Sequence, residues 1–253
     1  MRFVYPLKTA TRNAHIELRY SLRSLARYAP GSTPVLLTDR PPVWYTGDVI
    51  RMADRGKHKR AKTTRKLDDY ARSDDAPAQW VLMCDDFFLS RREEWPSIPL
   101  YHGPGLRESA AKYRTLAHKS NNIALIWDHT AHLCHRSGLG TLSFERHLPL
   151  RIVNDLWRST PHIQTYDCPP GIQPQSLYGN WAHKHGEPIQ RISDLKYWKR
   201  GHDDEDRQWG SGKTVDKYAS SRPGWSIADN VAGLRSFQVA MRRRFPDPSP
   251  WEG

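Results

Sequence analysis

The chain has 253 residues, of which 38% are hydrophobic, and it carries ten tryptophans. This composition excludes an intrinsically disordered protein, because disordered chains lack the apolar side chains that a core requires. The length suffices for one large domain or two small ones. Lysine and arginine number 39 against 27 aspartates and glutamates, so the formal net charge is +12. That charge favours polyanionic partners such as nucleic acid, anionic lipid or nucleotide phosphates, and equally fits a generic soluble basic protein.

The cysteine pattern and the N-terminal segment bear on the compartment. Cys84, Cys134 and Cys168 are odd in number and lack metal-type spacing, so no disulfide framework is expected. The first residues, MRFVYPLKTATRN, contain no apolar signal region. No apolar run approaches the roughly 18 residues of a transmembrane helix. We therefore expect a soluble cytoplasmic protein without a membrane span.

The first hundred residues alternate between strand and helix patterns. Arg2–Tyr5 reads as a short strand, and Leu18, Leu22 and Leu25 then recur at helical spacing until Pro30 ends the helix.

The alternation continues up to a pair of aspartates. Two further strands are expected at residues 35–37 and 47–52, a basic amphipathic helix at 59–75, and a fourth strand at 79–86. Strands that alternate with helices indicate an α/β fold with a mostly parallel sheet flanked by helices.

The second half of the chain gives weaker patterns. Helical pieces are expected between residues 108 and 138, with a break around 120–122. Residues 170–181 read as a loop, and residues 201–224 are polar and glycine-rich, typical of a mobile lid or acceptor loop. A last helix is expected to begin near Ser226. There is no internal repeat and no linker, which favours a single domain.

Carboxylates follow two of the predicted strands. Asp39 comes after the second strand, and Asp85 and Asp86 come after the fourth. In parallel sheets, ligands bind at the carboxyl ends of the strands. Adjacent carboxylates repel each other unless cations neutralise them, and hard divalent ions bring phosphates to such ligands. The alternative for this pair is an ordinary solvated strand end.

Other patterns are less specific. The basic run Lys57–Lys66 fits a diphosphate or nucleic-acid contact, or a solvated helix face. The GSGKT stretch at 210–214 is no P-loop, because Arg207 stands where that motif needs a glycine. The histidines lack zinc-type spacing. His147 follows an extended stretch and could reach the same edge as the aspartates, or be an ordinary surface histidine.

Short segments distributed over most of the chain carry a family resemblance. They are similar, in this order, to pieces of bacterial and phage glycosyltransferase-like proteins of GT-A type, near the Stealth group of capsular polysaccharide sugar-phosphate transferases. The segments are ELRYSLRSLARYAP, LLTD, the lysine-bearing helix, CDDFFL, FERHLP, SLYGNW and RRRFPDPSPWE.

The resemblance implies a GT-A-like, half Rossmann-like sheet in a single domain over residues 1–253. Residues 1–100 would then bind the nucleotide sugar, and residues 101–253 would bind the acceptor. The family's Asp-x-Asp motif holds Mn²⁺ or Mg²⁺ on the donor diphosphate. The matching stretch here is Cys84-Asp85-Asp86, with a cysteine at the first acidic position.

The resemblance also implies roles for individual residues. Asp85, Asp86 and His147 are the expected metal ligands, and Asp86 and His147 are the expected catalytic residues. The expected contacts to the donor, most simply a UDP-sugar, come from Asp85 and from four further residues: Asp39 near the nucleoside, and Arg19, Lys62 and Lys66 near the phosphates.

The positive charge of the chain bears on the class of acceptor. We expect a hydroxymethylated pyrimidine in DNA, as in phage genome modification inside an infected bacterial host. The net charge, the Arg242–Arg244 cluster and the possibility that Trp198, Trp209 and Trp225 stack on a base all motivate this expectation. The tryptophans could instead be core residues, and the charge could serve an anionic polysaccharide or lipid acceptor. The alternative functions are a transferase acting on a capsule-like polysaccharide and a non-enzymatic DNA-binding protein.

Overall fold

The structure is a computed structural model that describes residues 1–7, 15–55, 59–115, 121–144, 148–160, 171–191, 215–216, 224–227 and 231–253. Its strands are β1 (Arg2–Pro6), β2 (Thr33–Leu37), β3 (Asp48–Ile50), β4 (Gln79–Leu82), β5 (Phe87–Leu89), β6 (Leu100–Gly105), β7 (Leu142–Phe144), β8 (Leu150–Val153), β9 (Ile189–Arg191) and β10 (Gly224–Ser226). Its helices are α1 (Ile16–Tyr28), α2 (Lys59–Arg72), α3 (Leu106–Thr115), α4 (Asn121–Arg136), α5 (Asn154–Ser159), α6 (Pro174–Lys184) and α7 (Arg235–Arg244).

A five-stranded sheet in the order β3-β2-β1-β4-β8 forms the centre. Its first four strands are parallel, and β8 is antiparallel to β4. Two smaller sheets accompany it, a β5–β10 pair and a β7-β6-β9 sheet. The expected α/β fold with a mostly parallel sheet flanked by helices is confirmed.

Both faces of the central sheet are buried under helices. Phe3 and Tyr5 of β1 share a core cluster with Leu22 of α1. Val4, between them in sequence, belongs to a second cluster with Leu67 of α2. Successive residues of a strand point to opposite faces, so α1 and α2 cover opposite sides of the sheet. Each such buried side chain contributes roughly 2 kcal/mol.

The buried face and the end of α1 follow from the local sequence. Its apolar residues Leu18, Leu22 and Leu25 are all fully buried, as their helical spacing predicts. The helix ends where the Ala29 amide donates to the Leu25 carbonyl at 2.8 Å. Pro30 follows and cannot continue the helix, because it has no N–H to donate.

Two expectations for the second half are wrong. Residues 170–181, expected as a loop, contain the start of α6, where Pro174 lies in the first turn and its missing N–H costs no hydrogen bond. The last helix begins at Arg235 and not near Ser226, because Ser226 is paired with Phe87 in the β5–β10 sheet.

Two further expectations concern the polar segment 201–224 and a membrane span. Of the expected mobile loop at 201–224, only Val215, Asp216 and Gly224 are among the described residues. Within the described part of the chain, no helix has the length and apolar character needed to cross a membrane.

Candidate functional site

The candidate site lies where the strand order reverses. β1 lies between β2 and β4, so the chain builds the sheet to one side of β1 and then returns to its other side. Strand pairing continues past the strand ends, with the Leu7 amide donating to the Leu37 carbonyl at 3.2 Å and the Met83 amide donating to the Val4 carbonyl at 2.9 Å. The carboxyl ends of β1 and β4 therefore flank a topological switch point, which is the usual ligand crevice of an open α/β sheet.

The aspartate pair forms a tight turn at this crevice. The Phe87 amide donates to the Cys84 carbonyl at 3.2 Å, which places Asp85 and Asp86 at the centre of a turn between β4 and β5. Asp86 is 8% exposed and Asp85 is half-buried. The main-chain carbonyl of Asp86 also accepts a hydrogen bond from the Ile227 amide at 3.3 Å. The backbone that carries both carboxylates is thus fixed on either side.

A buried hydrogen-bond chain supports this turn from below. The Tyr5 hydroxyl lies 3.2 Å from Ser21 Oγ, and Ser21 Oγ donates to the Phe87 carbonyl at 2.7 Å. Burial raises the pKa of Tyr5 above its ordinary value of 10.0, and the nearby negative charge of Asp85 adds to that rise. Tyr5 therefore remains a protonated donor, and the chain connects β1, α1 and β5 beneath the aspartates.

Lys66 of α2 reaches the same edge but is buried. Its ammonium lies 2.6 Å from Asp54 Oδ1, and its side chain is 2% exposed. The ammonium also donates to the Leu7 carbonyl at 2.7 Å, just beyond β1. Burying a lysine costs several kcal/mol unless such partners compensate it. Lys66 thus connects the end of β1 to the segment after β3, and its expected phosphate contact stays a prediction.

Lys62 and Asp39 lie around this edge. Lys62 is half-buried one turn before Lys66, on the same side of α2. Asp39 is half-buried after β2, and its main-chain carbonyl accepts a hydrogen bond from Arg51 Nη1 at 2.6 Å. Because β2 and β4 are the two neighbours of β1, the structure brings Asp39 and the aspartate pair to one edge, on either side of β1. Their donor contacts stay predictions.

Arg19 points toward the segment after β2. Its guanidinium lies over the Trp44 ring, 4.4 Å from the ring centroid, and its Nη1 lies 3.3 Å from Glu252 Oε2. The side chain keeps 36% of its surface exposed. Arg19 is therefore held in place by neighbours and remains accessible to an anion.

His15, at the start of α1, is a residue that the sequence pattern does not single out. It precedes α1 with φ 58°, the only positive φ of a non-glycine residue in the described parts of the chain. Burial lowers the pKa of His15 below its ordinary value of 6.5. Its place at the start of α1, beyond the carboxyl end of β1, puts the imidazole at the same end of the sheet as the crevice. A histidine just before a helical apolar stripe is too common a pattern to reveal this.

The structure describes only two of the three expected metal ligands, Asp85 and Asp86. His147 lies in the segment 145–147, outside the described residues. Among the residues that the structure does describe, no group of three or more histidine, cysteine, aspartate or glutamate side chains could hold a metal ion. Mg²⁺ commonly uses one or two carboxylates together with substrate phosphates and waters. The fixed turn of Asp85 and Asp86 fits that kind of binding.

One expected nucleic-acid contact is wrong. Trp225 is 1% exposed and packs against Phe88, with 4.7 Å between ring centroids, in a core cluster that includes Phe237. A side chain buried in this way cannot stack on an extruded base. Trp198 and Trp209, expected to act in the same way, lie outside the described residues.

Comparisons with known proteins find likenesses in structure. No protein-family model and no curated protein matches the chain. The apo-form glycosyltransferase GlyE of Streptococcus pneumoniae TIGR4 is 13% identical with a TM-score of 0.45, and the similarity covers 98% of this chain and 65% of GlyE. The galactosyltransferase LgtC, solved with donor and acceptor sugar analogues, is 11% identical with a TM-score of 0.48, covering 96% of each chain.

A mammalian structure is similar to a comparable degree. Mouse xyloside xylosyltransferase 1 in its apo form is 10% identical with a TM-score of 0.44, covering 89% of this chain and 96% of the mouse chain. At such identities and TM-scores, these likenesses assign no activity to the present chain.

Proposed function

We propose that this chain is a glycosyltransferase that takes its sugar from a nucleotide-sugar donor, with a UDP-sugar as the first choice. The observation that carries the proposal is the turn of Asp85 and Asp86, fixed by backbone hydrogen bonds at the crevice between β1 and β4. Two adjacent carboxylates repel each other. A cation with bound phosphates would relieve this repulsion, which favours a functional reason for the pair.

The chemistry of the donor explains the cationic groups. When the sugar leaves, negative charge develops on the nucleoside diphosphate, and cations already in position stabilise it. Arg19 and Lys62 are the accessible candidates, because their side chains are not fully buried. Lys66 would act by fixing the end of β1, since its ammonium already binds Leu7 and Asp54.

A divalent ion belongs to the same proposal. Asp85 and Asp86 would hold Mn²⁺ or Mg²⁺, which when bound would neutralise charge on the leaving diphosphate. His147 is proposed as a further ligand or catalytic residue on the strength of the sequence resemblance alone.

The acceptor can be a hydroxymethylated pyrimidine in DNA or a polysaccharide. The net charge of +12 suits both DNA and an anionic polymer. The burial of Trp225 removes one of the reasons for DNA. A purely DNA-binding protein is disfavoured, because a surface for the phosphate backbone gains nothing from two carboxylates.

A thermal-shift screen tests the donor half of the proposal. The full chain is heated with a panel of nucleotide sugars, with Mn²⁺ and with EDTA. A ligand present at 100 times its Kd stabilises the native state by about 2.7 kcal/mol, so a true donor should raise the melting temperature by several degrees. We expect the shift with a UDP-sugar and Mn²⁺, and a smaller one in EDTA.

The chain offers a matched control for this screen. Asp74 and Asp75 form another adjacent pair, exposed before the amino end of β4. Asp86→Asn should abolish the donor shift, whereas Asp74→Asn should leave it unchanged. If no nucleotide sugar stabilises the chain, or if both variants respond alike, the proposal is wrong.

A further inference from the structure

We propose that a cleft at the opposite edge of the sheet binds an uncharged stretch of saccharide chain, the part of a polymeric acceptor that lies far from the reacting end. This inference rests on the proposed glycosyltransferase function. It names the class of acceptor that the function leaves open, and it concerns residues that play no part in donor binding.

The cleft lies between the end of α1 and the segment that leads into β6. Tyr28 and residues 29–32 form one wall, and residues 92–99 with Tyr101 form the other, with Met1 between them. Its volume is about 490 Å³, within the range of roughly 300–1,000 Å³ typical of ligand sites. The site is therefore large enough for a few linked sugars.

The walls of the cleft are fixed before any ligand arrives. Pro30 lies on one wall and Pro96 and Pro99 on the other, and Trp95–Ser97 form a turn of 3-10 helix. Trp95 is 7% exposed and packs edge-on against Phe3 of β1, with 5.1 Å between ring centroids. A preformed cleft pays little ordering cost on binding, which allows a flexible chain to bind with useful affinity.

The lining suits a sugar in both its apolar and its polar parts. Tyr28 and Tyr101, both partly exposed, supply aromatic surface for the C–H faces of sugar rings. Exposed Arg92 and Glu94 supply donors and acceptors for hydroxyl groups at the rim. Apolar walls with a few placed polar groups are the usual design of a small-molecule site.

The charge of the residues that line the cleft favours a neutral polymer over a polyanion. Arg92 lies beside Glu93 and Glu94 in the cleft. Glu93 also forms an ion pair with Arg91, with 2.7 Å between Nε and Oε1. The lining itself carries two positive groups, Arg92 and the Met1 amino group, and two negative ones, Glu93 and Glu94, so it lacks the excess of positive charge that characterises the chain as a whole. A polyanion such as DNA needs cationic contacts to its phosphates, so this surface favours a neutral ligand.

The position of the cleft fits a long acceptor. Met1 and Ser32 lie at the amino ends of β1 and β2, whereas the aspartate turn follows the carboxyl end of β4. The five residues of β1 span roughly 17 Å. A saccharide of several units could thus contact the cleft while its end reaches the crevice.

Calorimetric titration without donor tests the inference. The full chain is titrated with maltoheptaose, cellohexaose and xylohexaose as neutral probes, and with a proline-rich peptide, which also favours aromatic grooves. We expect at least one neutral oligosaccharide to bind. Arg92→Ala and Glu94→Ala, both at exposed positions, should each weaken that binding by about fivefold to tenfold.

The controls separate this inference from the donor site. Trp181→Leu removes a partly exposed aromatic ring on α6, outside the cleft, and should leave saccharide binding unchanged. Asp86→Asn should also leave it unchanged while it removes the donor-induced thermal shift. The inference fails if none of the three oligosaccharides binds at millimolar concentration, if the cleft variants bind like wild type, or if only the peptide binds. A wild-type donor shift in any of those cases would leave the proposed function standing.

Discussion

Arg23 and Glu252, which are 229 positions apart in the sequence, form a bidentate ion pair. Arg23 Nε donates to Glu252 Oε1 at 2.7 Å, and Arg23 Nη2 donates to Glu252 Oε2 at 2.9 Å. The side chains are only 12% and 4% exposed. Ser249 adds hydrogen bonds to Oε1 from its amide and its hydroxyl. The C-terminal segment is thereby fastened to α1, the helix that also supports the aspartate turn through Ser21.

Removing Glu252 should destabilise the chain. Glu252→Ala leaves the largely buried guanidinium of Arg23 without its carboxylate, which should lower the free energy of unfolding by about 2–4 kcal/mol. Urea denaturation monitored by circular dichroism measures the change. Asp128→Ala is the control, because its pair with Arg114 is more exposed and should contribute less than about 1 kcal/mol. Equal effects of the two variants would contradict the role of the buried pair.

The same pair predicts a loss of stability in acid. Burial alone would raise the pKa of Glu252, but the hydrogen bonds and charge of Arg23 outweigh it and lower that pKa below its ordinary value of 4.5. A carboxyl with a depressed folded pKa contributes stability above its unfolded pKa, and loses it as the pH falls through the folded pKa. Wild type should therefore lose more stability than Glu252→Gln below pH 4.5. Parallel acid profiles would show that Glu252 does not contribute.

His15 should act in a separate pH window. Its folded pKa is lowered by burial, so between that pKa and 6.5 the unfolded chain binds a proton that the folded chain does not. Stability should therefore fall as the pH drops below 6.5. His15→Asn should flatten this part of the profile, because asparagine tolerates the left-handed backbone and does not titrate. A profile unchanged by the substitution would mean that His15 titrates alike in both states.

The aspartate pair should control transfer and not folding. Asp86→Asn should reduce sugar transfer by roughly a thousandfold or more, and Asp85→Asn nearly as much, because each loses a carboxylate that would hold the divalent ion that stabilises the leaving diphosphate. The melting temperature should stay near that of wild type. Release of nucleoside diphosphate is the readout, and Asp74→Asn is the matched control. Full activity of Asp86→Asn in EDTA would eliminate the metal-binding role.

Lys66 should affect both stability and turnover. Lys66→Met removes the ammonium that binds Asp54 and the Leu7 carbonyl and should lower stability by about 2–4 kcal/mol. If Lys66 positions the edge, Lys66→Arg should recover part of that stability, and kcat should fall more than KM rises. If Lys66 were instead a direct phosphate ligand, Lys66→Met would raise KM for the donor and leave stability unchanged. The double variant with Asp54→Asn measures the coupling between the two side chains.

The sequence predicted the features that depend on local periodicity. The strand predicted at Arg2–Tyr5, the helix carrying Leu22 and the edge position of Asp86 all follow from patterns within a few residues. The burial of Lys66 was harder to predict, because a dense basic run is typical of a solvated surface. Yet Lys66 lies beside Leu67, one turn before the buried Tyr70, so helical spacing places it on the inner face of α2.

Other features depend on contacts that no local pattern reveals. The pairing of Ser226 with β5 depends on a strand more than a hundred residues earlier, and it displaced the predicted start of the last helix. The salt bridge between Arg23 and Glu252 spans almost the whole chain. The helix at Pro174 was missed because nearby proline and glycine are typical of loops, although proline is also favoured in the first turn of a helix.

The antiparallel strand β8 has a consequence for how the chain reaches its native state. Its residues pair with β4, from Val153 opposite Gln79 to Leu150 opposite Leu82. Until residue 153 has left the ribosome, β4 is an open edge whose unpaired amides and carbonyls can recruit strands from other chains. Such non-local pairing slows folding, because a long loop must close first. A fragment of residues 1–100 would keep that edge permanently exposed and should aggregate, whereas a fragment that extends through β8 should not.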